Sequence, residues 1–456
     1  MKLDEKRDIR QKFFSYALPS VAAMWVYTIY TMVDGMFVAR GVGTTALAAV
    51  NIAMPFINTA FALGILFAVG ASTRASIHKG RNDMETANRI FTTSAVTVFT
   101  LAWIVVILAQ LNLERIALLL GADDETLGYV KDYLRIIIFF VPCYMTSYNL
   151  EVLIKADGFP KKAIMTTCAG ACTNIVLDAL FILVFHWGIK GAAIATGLSQ
   201  LMTFSIFLSH FLSKKSCFSF VRIRWRLKEV LGFAKLGIAD SVTEFSVGVI
   251  IFLFNNVLLR VSGNDGVVMY TVIAYVYQLI LMTMMGINQG MQPLVSYHHG
   301  RGEKTIHQYI LKVALLTAAA ASAAAFLFGV LYPNPVVAVF IDPTQNASLY
   351  LGGVSAFKLF SFEFLPLGVV IILTGYFTAL EKNKPAMAIS MGRGLVFVAI
   401  CLLSMAALFG ETGIWLSMAV SETMALVLAL VLYYLLIVRK EKRPLPLQEH
   451  GGVLSQ

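Results

Sequence analysis

FFSYALPSVAAMWVYTIYTMVDGMFVARG, residues 13–41, is apolar for long enough to cross a bilayer, and a single acid, Asp34, lies within it. A helix of roughly 20 residues spans the hydrocarbon. An ionisable group at such a depth costs about 2.5–3.5 kcal/mol on insertion scales, so it is normally kept for an ion or substrate pathway. The other reading places Asp34 near the helix end, in water, because Arg40 and the Gly41–Gly43 turn follow closely. The pathway reading requires partners for Asp34 on other spans. The same stretch holds Pro19, fifteen positions before the acid.

Composition fixes the class. The 456 residues are 58% hydrophobic and 14% charged, with a mean hydropathy of +0.76. Soluble proteins carry about 25% charged residues, so the chain is a polytopic membrane protein. The net charge of +10 comes from short loops between apolar spans, a positive-inside pattern that argues against a nucleic-acid partner. Five cysteines (Cys143, Cys168, Cys172, Cys217, Cys401) lie in or beside apolar spans without metal-ligand spacing, and packing is their better reading. The charged start MKLDEKRDIRQK precedes a span too long for a signal-peptide core, so it reads as the lead-in to a retained first span.

Apolar segments recur near 15–38, 46–72, 90–112, 130–155, 163–186, 191–213, 230–260, 266–293, 309–332, 350–379, 385–409 and 412–438, about twelve spans. Lys and Arg concentrate on alternate loops: before residue 13, at 74–89, 155–162, 214–228, 301–312 and 382–384, and in the tail VRKEKR. The intervening loops offer Arg40, Arg115, Lys190 and Arg260, and the acidic run Asp123–Asp124–Glu125. Both termini are therefore expected on the cytoplasmic face. The expected organisation is a cytoplasmic N-terminus (1–12), an N-lobe of six spans (13–213), a basic linker (214–229), a C-lobe of six spans (230–438) and a cytoplasmic tail (439–456).

The halves repeat. Gly70, His78, Gly80 and Arg81 match Gly290, His298, Gly300 and Arg301 at an offset of 220, and Arg40 with Gly43 matches Arg260 with Gly263. Gly191-Ala-Ala-Ile-Ala against Gly413-Ile-Trp-Leu-Ser fits at 222. A six-span repeat of one orientation places a pseudo-twofold axis along the membrane normal, the plan of transporters whose site lies between or within the lobes.

Span five supplies partners for Asp34. Asn174 and Asp178, four apart, share one helix face in an otherwise apolar run. Span six opens with Gly191-Ala-Ala-Ile-Ala-Thr196, whose small residues permit close helix approach and whose threonine offers a hydroxyl. Two carboxylates, an amide carbonyl and a hydroxyl form an oxygen-rich set suited to a hard monovalent cation or a shared proton; two carboxylates close together in low dielectric do not both ionise cheaply. Interhelical hydrogen bonding for packing is the competing account of Asn174 and Asp178, and the ion site is preferred over it.

Pro19 with Asp34, Asn174-x-x-x-Asp178, GIKGAAIATGLSQ with Thr196, and Gln292-Pro293-Leu-Val-Ser-Tyr-His-His-Gly300 resemble the multidrug and toxic compound extrusion (MATE) family, nearest its Mep-type bacterial branch, over residues 13–436. The resemblance implies a twelve-helix, two-lobed antiporter in a bacterial cell membrane that expels lipophilic organic cations in exchange for H⁺ or Na⁺. It needs no cofactor, and its working unit is expected to be a monomer. It also implies that Asp34, Asn174, Asp178 and Thr196 take the places of the N-lobe cation site and Pro19 that of the proline associated with bending of the first helix. A proline there leaves a carbonyl without its helical donor.

The second half departs from the first. The places of Asp34 and Asp178 hold Phe254/Asn255 and Ile400/Cys401, so the ion site is expected on one side only. Asp240 and Glu244 on span seven, Glu363 on span ten and Glu422 on span twelve are acids of its own. Of these, Glu244, Glu363 and Asp240, with Asn288 and Gln289 of the methionine-rich span eight, are the candidates for lining a substrate cavity. Methionines at that spacing are more often packing, and Gly286-x-x-x-Gly290 argues for close helix contact. Glu363 could instead pair with Lys358, Glu422 could lie near a rim, and Glu151 with Lys155 reads as a structural i, i+4 pair. No GxxxxGK[ST], HExxH or paired-histidine motif is present, which disfavours an enzyme or an ATP-driven pump. A flippase of lipid-linked oligosaccharides is the alternative transporter, but it would be expected to line its cavity with arginines for pyrophosphate.

Overall fold

The computed structural model describes residues 2–439; the expected tail of 439–456 lies outside them except for its first residue. Among the described residues eleven helices are long and apolar enough to cross a membrane. They are α1 (Leu3–Gly41), α2 (Thr44–Gly80), α3 (Met84–Leu111), α4 (Leu127–Asp157), α5 (Pro160–Val184), α6 (Gly188–Leu212), α7 (Leu227–Val261), α8 (Gly263–Gly300), α9 (Lys304–Leu331), α10 (Ala347–Ala379) and the 56-residue run Asn383–Val438. That run turns at Gly410, whose φ of 59° and ψ of −136° are not helical. Its residues 383–409 form α11 and 411–438 form α12. Arg393 Nε donates to Glu422 Oε1 at 2.8 Å, and a straight helix would hold those residues about 43 Å apart. The run therefore folds back on itself, and the crossings number twelve.

Local sequence sets the helix ends. Asp83 caps α3 by accepting the Thr86 N–H at 3.1 Å. Gly158, at φ +111°, closes α4, and Pro160 opens α5 two residues later. The repeat extends beyond the spans: a short helix starts at Leu113 after α3 and another at Pro333 after α9, again 220 residues apart.

Each lobe has its own apolar core, but two helices belong to both. Phe13, Tyr16 and Ala17, at the start of α1, pack in the C-lobe core, while Val38 near its other end packs in the N-lobe core. Phe233 of α7 makes the opposite exchange and packs with N-lobe residues. Glycines make these crossings tight: a Cβ at Gly286 or Gly290 of α8 would strike the α1 backbone at Val21 or Ala17, on either side of Pro19. Gly70 of α2 lies equally close to the Phe233 carbonyl, and Gly237 of α7 to that of Leu66. The Gly286/Gly290 pair thus brackets the one proline of α1.

At the end of the molecule that carries the lysine- and arginine-rich loops, the lobes also meet through polar groups. Lys155 of α4 donates to Gln289 of α8 at 2.8 Å, and Arg74 of α2 pairs with Glu381 after α10 at 3.0 Å.

Candidate functional site

Asp34, Asn174 and Asp178 come together inside the N-lobe, from α1 and α5. Asp34 is 8% exposed and the other two are fully buried. The carboxyls of Asp34 and Asp178 face one another, and Asn174 Nδ2 donates to Thr196 Oγ1 of α6 at 3.4 Å. Asp34 Oδ1, Asn174 Oδ1 and both carboxyl oxygens of Asp178 have no hydrogen-bond partner. Four buried acceptors without donors are expensive unless a proton or a cation joins them. The donor set is oxygen throughout, which suits either.

The helix changes winding immediately after Asp178. Residues Ala179–Val184 form π-helix, with the Phe185 N–H donating to the Leu180 carbonyl five residues back at 2.9 Å. Such turns are uncommon and recur at functional sites. Neither glycine nor proline marks this one, and residue types do not foretell it.

A chamber of about 680 Å³ reaches this cluster, lined by Asp34, Thr196, Gln200, Asn58 and tyrosines 27, 30, 133 and 144. A larger cavity of about 970 Å³, counting the open space at its mouth, lies between the lobes. Tyr27, Tyr30, Tyr144 and Gln200 line both and so form the partition. The Tyr27 and Tyr144 hydroxyls are 3.2 Å apart. Sequence reasoning missed these tyrosines, although Tyr27/Tyr30 and Tyr144/Tyr148 have the spacing of residues on one helix face.

The inter-lobe cavity takes Asp240 and Glu244 from α7, Gln289 from α8, Glu151 and Tyr148 from α4, and Met24, Met282 and Met285. Asp240 accepts from Gln292 at 3.3 Å. Glu151 lines the cavity and pairs with Lys155, which is 2% exposed, at 2.7 Å. This pair, which the spacing alone marked as structural, also joins the lobes through Gln289. Of the other cavity candidates, Asn288 is buried against Gly375 of α10, and Glu363 lies in a separate cluster.

That cluster is the C-lobe's counterpart to the N-lobe acids. Glu422 is 1% exposed and ion-paired to buried Arg393, not at a rim. Glu363 is fully buried, with neither carboxyl oxygen bonded, and it lies beside Tyr277 and Glu422. Its alternative partner Lys358 does not reach it. Arg393, which sequence reasoning passed over between two glycines, supplies a fixed positive charge to this cluster, whereas among the described residues no Lys or Arg pairs with Asp34 or Asp178.

Among the described residues no group of three or more His, Cys, Asp or Glu is placed to hold a metal ion.

Two lobes of six crossings, a cavity between them and a polar chamber within one define a membrane carrier. Comparison with known proteins gives the family: the MatE model matches residues 19–180 and 241–403, and the chain belongs to that family, one of transporters and not of enzymes. Among curated proteins, the multidrug export protein MepA of Staphylococcus saprophyticus is 25% identical over 437 residues, covering 95% of both chains. MepA of Staphylococcus aureus strain bovine RF122 is 25% identical over 445 residues with the same coverage. In fold, the chain is similar to a MATE solved in complex with MaL6 (TM-score 0.89, 19% identity, 95% of this chain and 98% of that one). It is equally similar to a multidrug resistance MATE transporter in an outward-facing conformation (TM-score 0.89, 20% identity, 95% and 97%).

Proposed function

We propose that this transporter exports lipophilic organic cations from a bacterial cell across its membrane in exchange for H⁺ or Na⁺, with the basic end facing the cytoplasm. The observation that carries the reading is the set of four unpartnered acceptor oxygens on Asp34, Asn174 and Asp178. In the inter-lobe cavity Asp240, Glu244 and Glu151 outnumber Lys155, which favours a cationic ligand, and the tyrosines offer faces to its aromatic or ammonium groups. The same surplus of acids disfavours a pyrophosphate-bearing lipid.

Exchange follows from the two compartments sharing α1. A cation or proton entering the chamber quenches repulsion between Asp34 and Asp178 and draws α1 towards α5 and α6. Tyr27 and Tyr30, on the same helix, then move in the wall of the drug cavity, so ion binding and drug binding favour different shapes of one lobe. Pro19 weakens α1 within the segment bracketed by Gly286 and Gly290, next to that wall in the helix. The test is ethidium efflux by Asp34→Asn protein present in the membrane at the parental level; export at the parental rate would overturn the reading. Dye export from vesicles under an imposed pH or Na⁺ gradient identifies the coupling ion.

A further inference from the structure

The segment that joins the lobes is clasped along the N-lobe. The Cys217 N–H donates to Asp157 Oδ1 at 2.9 Å, Ser219 N–H to Asn88 Oδ1 at 3.0 Å and Val221 N–H to Thr92 Oγ1 at 3.1 Å. Further along, Trp225 Nε1–H donates to Thr97 Oγ1 at 3.3 Å. Asn88, Thr92 and Thr97 all belong to α3. Two extended residues advance about 6.6 Å and four helical residues about 6 Å, so the pairing of 219 with 88 and 221 with 92 is the register of an extended strap laid along a helix. Phe218 and Phe220 pack on Phe91 with ring centroids 5.8 and 4.8 Å away.

The strap's sequence then alternates: Val221-Arg222-Ile223-Arg224-Trp225-Arg226-Leu227-Lys228. In the extended part the three arginines emerge on one side, and Lys228 follows in the first turn of α7. All four basic residues are exposed, and among the described residues no hydrogen bond or ion pair engages their side chains. The adjoining acid, Glu229, is paired with Arg89 at 3.6 Å. Trp225 and Leu227 are exposed as well, at 54% and 57%. Thr97, where Trp225 is held, adjoins the outward apolar residues Val96, Phe99 and Trp103 of α3. The strap therefore sits where the apolar belt of the molecule begins. Unpaired guanidinium groups interleaved with an exposed indole and aliphatic side chains at that level match the boundary between lipid headgroups and acyl chains.

We propose that residues 221–228 dock the phosphate groups of anionic phospholipids in the leaflet at the basic end. Arg222, Arg224, Arg226 and Lys228 hold the phosphates, and Trp225 and Leu227 enter the headgroup boundary. Because the strap is bonded to α3 of one lobe and continues into α7 of the other, the lipid bears on the joint between them. The inference rests on the membrane-spanning fold and is independent of the coupling ion and the exported compound.

The test uses the full-length protein in phosphatidylcholine nanodiscs containing either brominated phosphatidylglycerol or brominated phosphatidylcholine. The fluorescence of Trp225 is taken as the difference from a Trp225→Phe variant. Brominated phosphatidylglycerol is expected to quench Trp225 at least about threefold more strongly, and replacing the arginines by glutamine one at a time to bring that ratio stepwise towards one. The triple variant R222K/R224K/R226K keeps the preference and controls for misfolding. Equal quenching by the two lipids, or a preference that survives R222Q/R224Q/R226Q/K228Q, would overturn the proposal. So would loss of the preference on adding inorganic phosphate at matched ionic strength, which would mark a site for soluble anions.

Discussion

Gly80 lies against the backbone carbonyl of Tyr297, and Gly300, its counterpart 220 residues on, lies against that of Ile77. Residues 77 and 297 are separated by the same offset, so the two contacts are one contact seen from both sides of the pseudo-twofold axis. A backbone carbonyl inside a helix has little room to retreat. Gly80→Val or Gly300→Val should therefore prevent closure of the basic end. The measurement is disulfide formation between cysteines placed at Arg74 and Glu381, which should fall severalfold in either variant; an unchanged yield would show that the helices do not need this approach.

Asp34 and Asp178 predict a trade between stability and work. In Asp34→Asn or Asp178→Asn a new amide can donate to an oxygen that now has no partner. Each variant should unfold later on heating in detergent, by about 1–3 kcal/mol, the range for satisfying a buried polar group. Dye export should at the same time fall to background. A variant both less stable and inactive would point to a scaffolding role for the acid.

Lys155 is held by Glu151 within its own helix and by Gln289 across the lobe boundary. Lys155→Met leaves Glu151 charged and largely buried, which should cost roughly 3 kcal/mol of stability. Glu151→Gln with Lys155→Met should recover most of that, as thermal unfolding of the double variant would show. Gln289→Leu breaks only the link between lobes. It should leave unfolding nearly unchanged while lowering the Arg74–Glu381 crosslink yield measured with cysteines.

Arg393 and Glu422 form a buried ion pair in the C-lobe, beside unbonded Glu363. Arg393→Met removes the cation paired with Glu422 from a site with two glutamates and should lower stability by roughly 3–5 kcal/mol. Adding Glu422→Gln should reverse the larger part. The check is a double-variant cycle by thermal unfolding; strict additivity of the two changes would mean that the side chains do not act on one another.

Glu244 lines the inter-lobe cavity and accepts no hydrogen bond among the described residues. Glu244→Gln should weaken binding of a cationic dye by about tenfold, or 1.4 kcal/mol, and leave a neutral analogue of similar shape unaffected. Equilibrium dialysis with both ligands distinguishes a charge effect from a change of cavity shape.

How far the sequence reached depends on contrast. A carboxylate in an apolar span stands out, and the four-residue spacing of Asn174 and Asp178 puts them on one face, so the residues gathered around Asp34 were legible. The offset of 220 was legible because glycines and a histidine repeat at span ends, where composition is otherwise variable. Tyr27, Tyr30, Tyr144 and Tyr148 were not, since an aromatic residue in a membrane helix looks alike whether it faces lipid, core or cavity. Glu363 and Glu422 were visible as acids but not as a cluster, because Arg393 lies 30 residues from one and 29 from the other and only the turn at Gly410 brings α12 back to it. The winding after Asp178 leaves no trace in residue type at all.

The first helix has a partner under the repeat, α7, and both cross from one lobe's core into the other's. Only α1 has a proline at the crossing; position 239, the equivalent of Pro19, is alanine. One crossing member can therefore flex where the other stays a stiff rod. The two halves, alike in plan, therefore differ in stiffness at the very place where each reaches into the other.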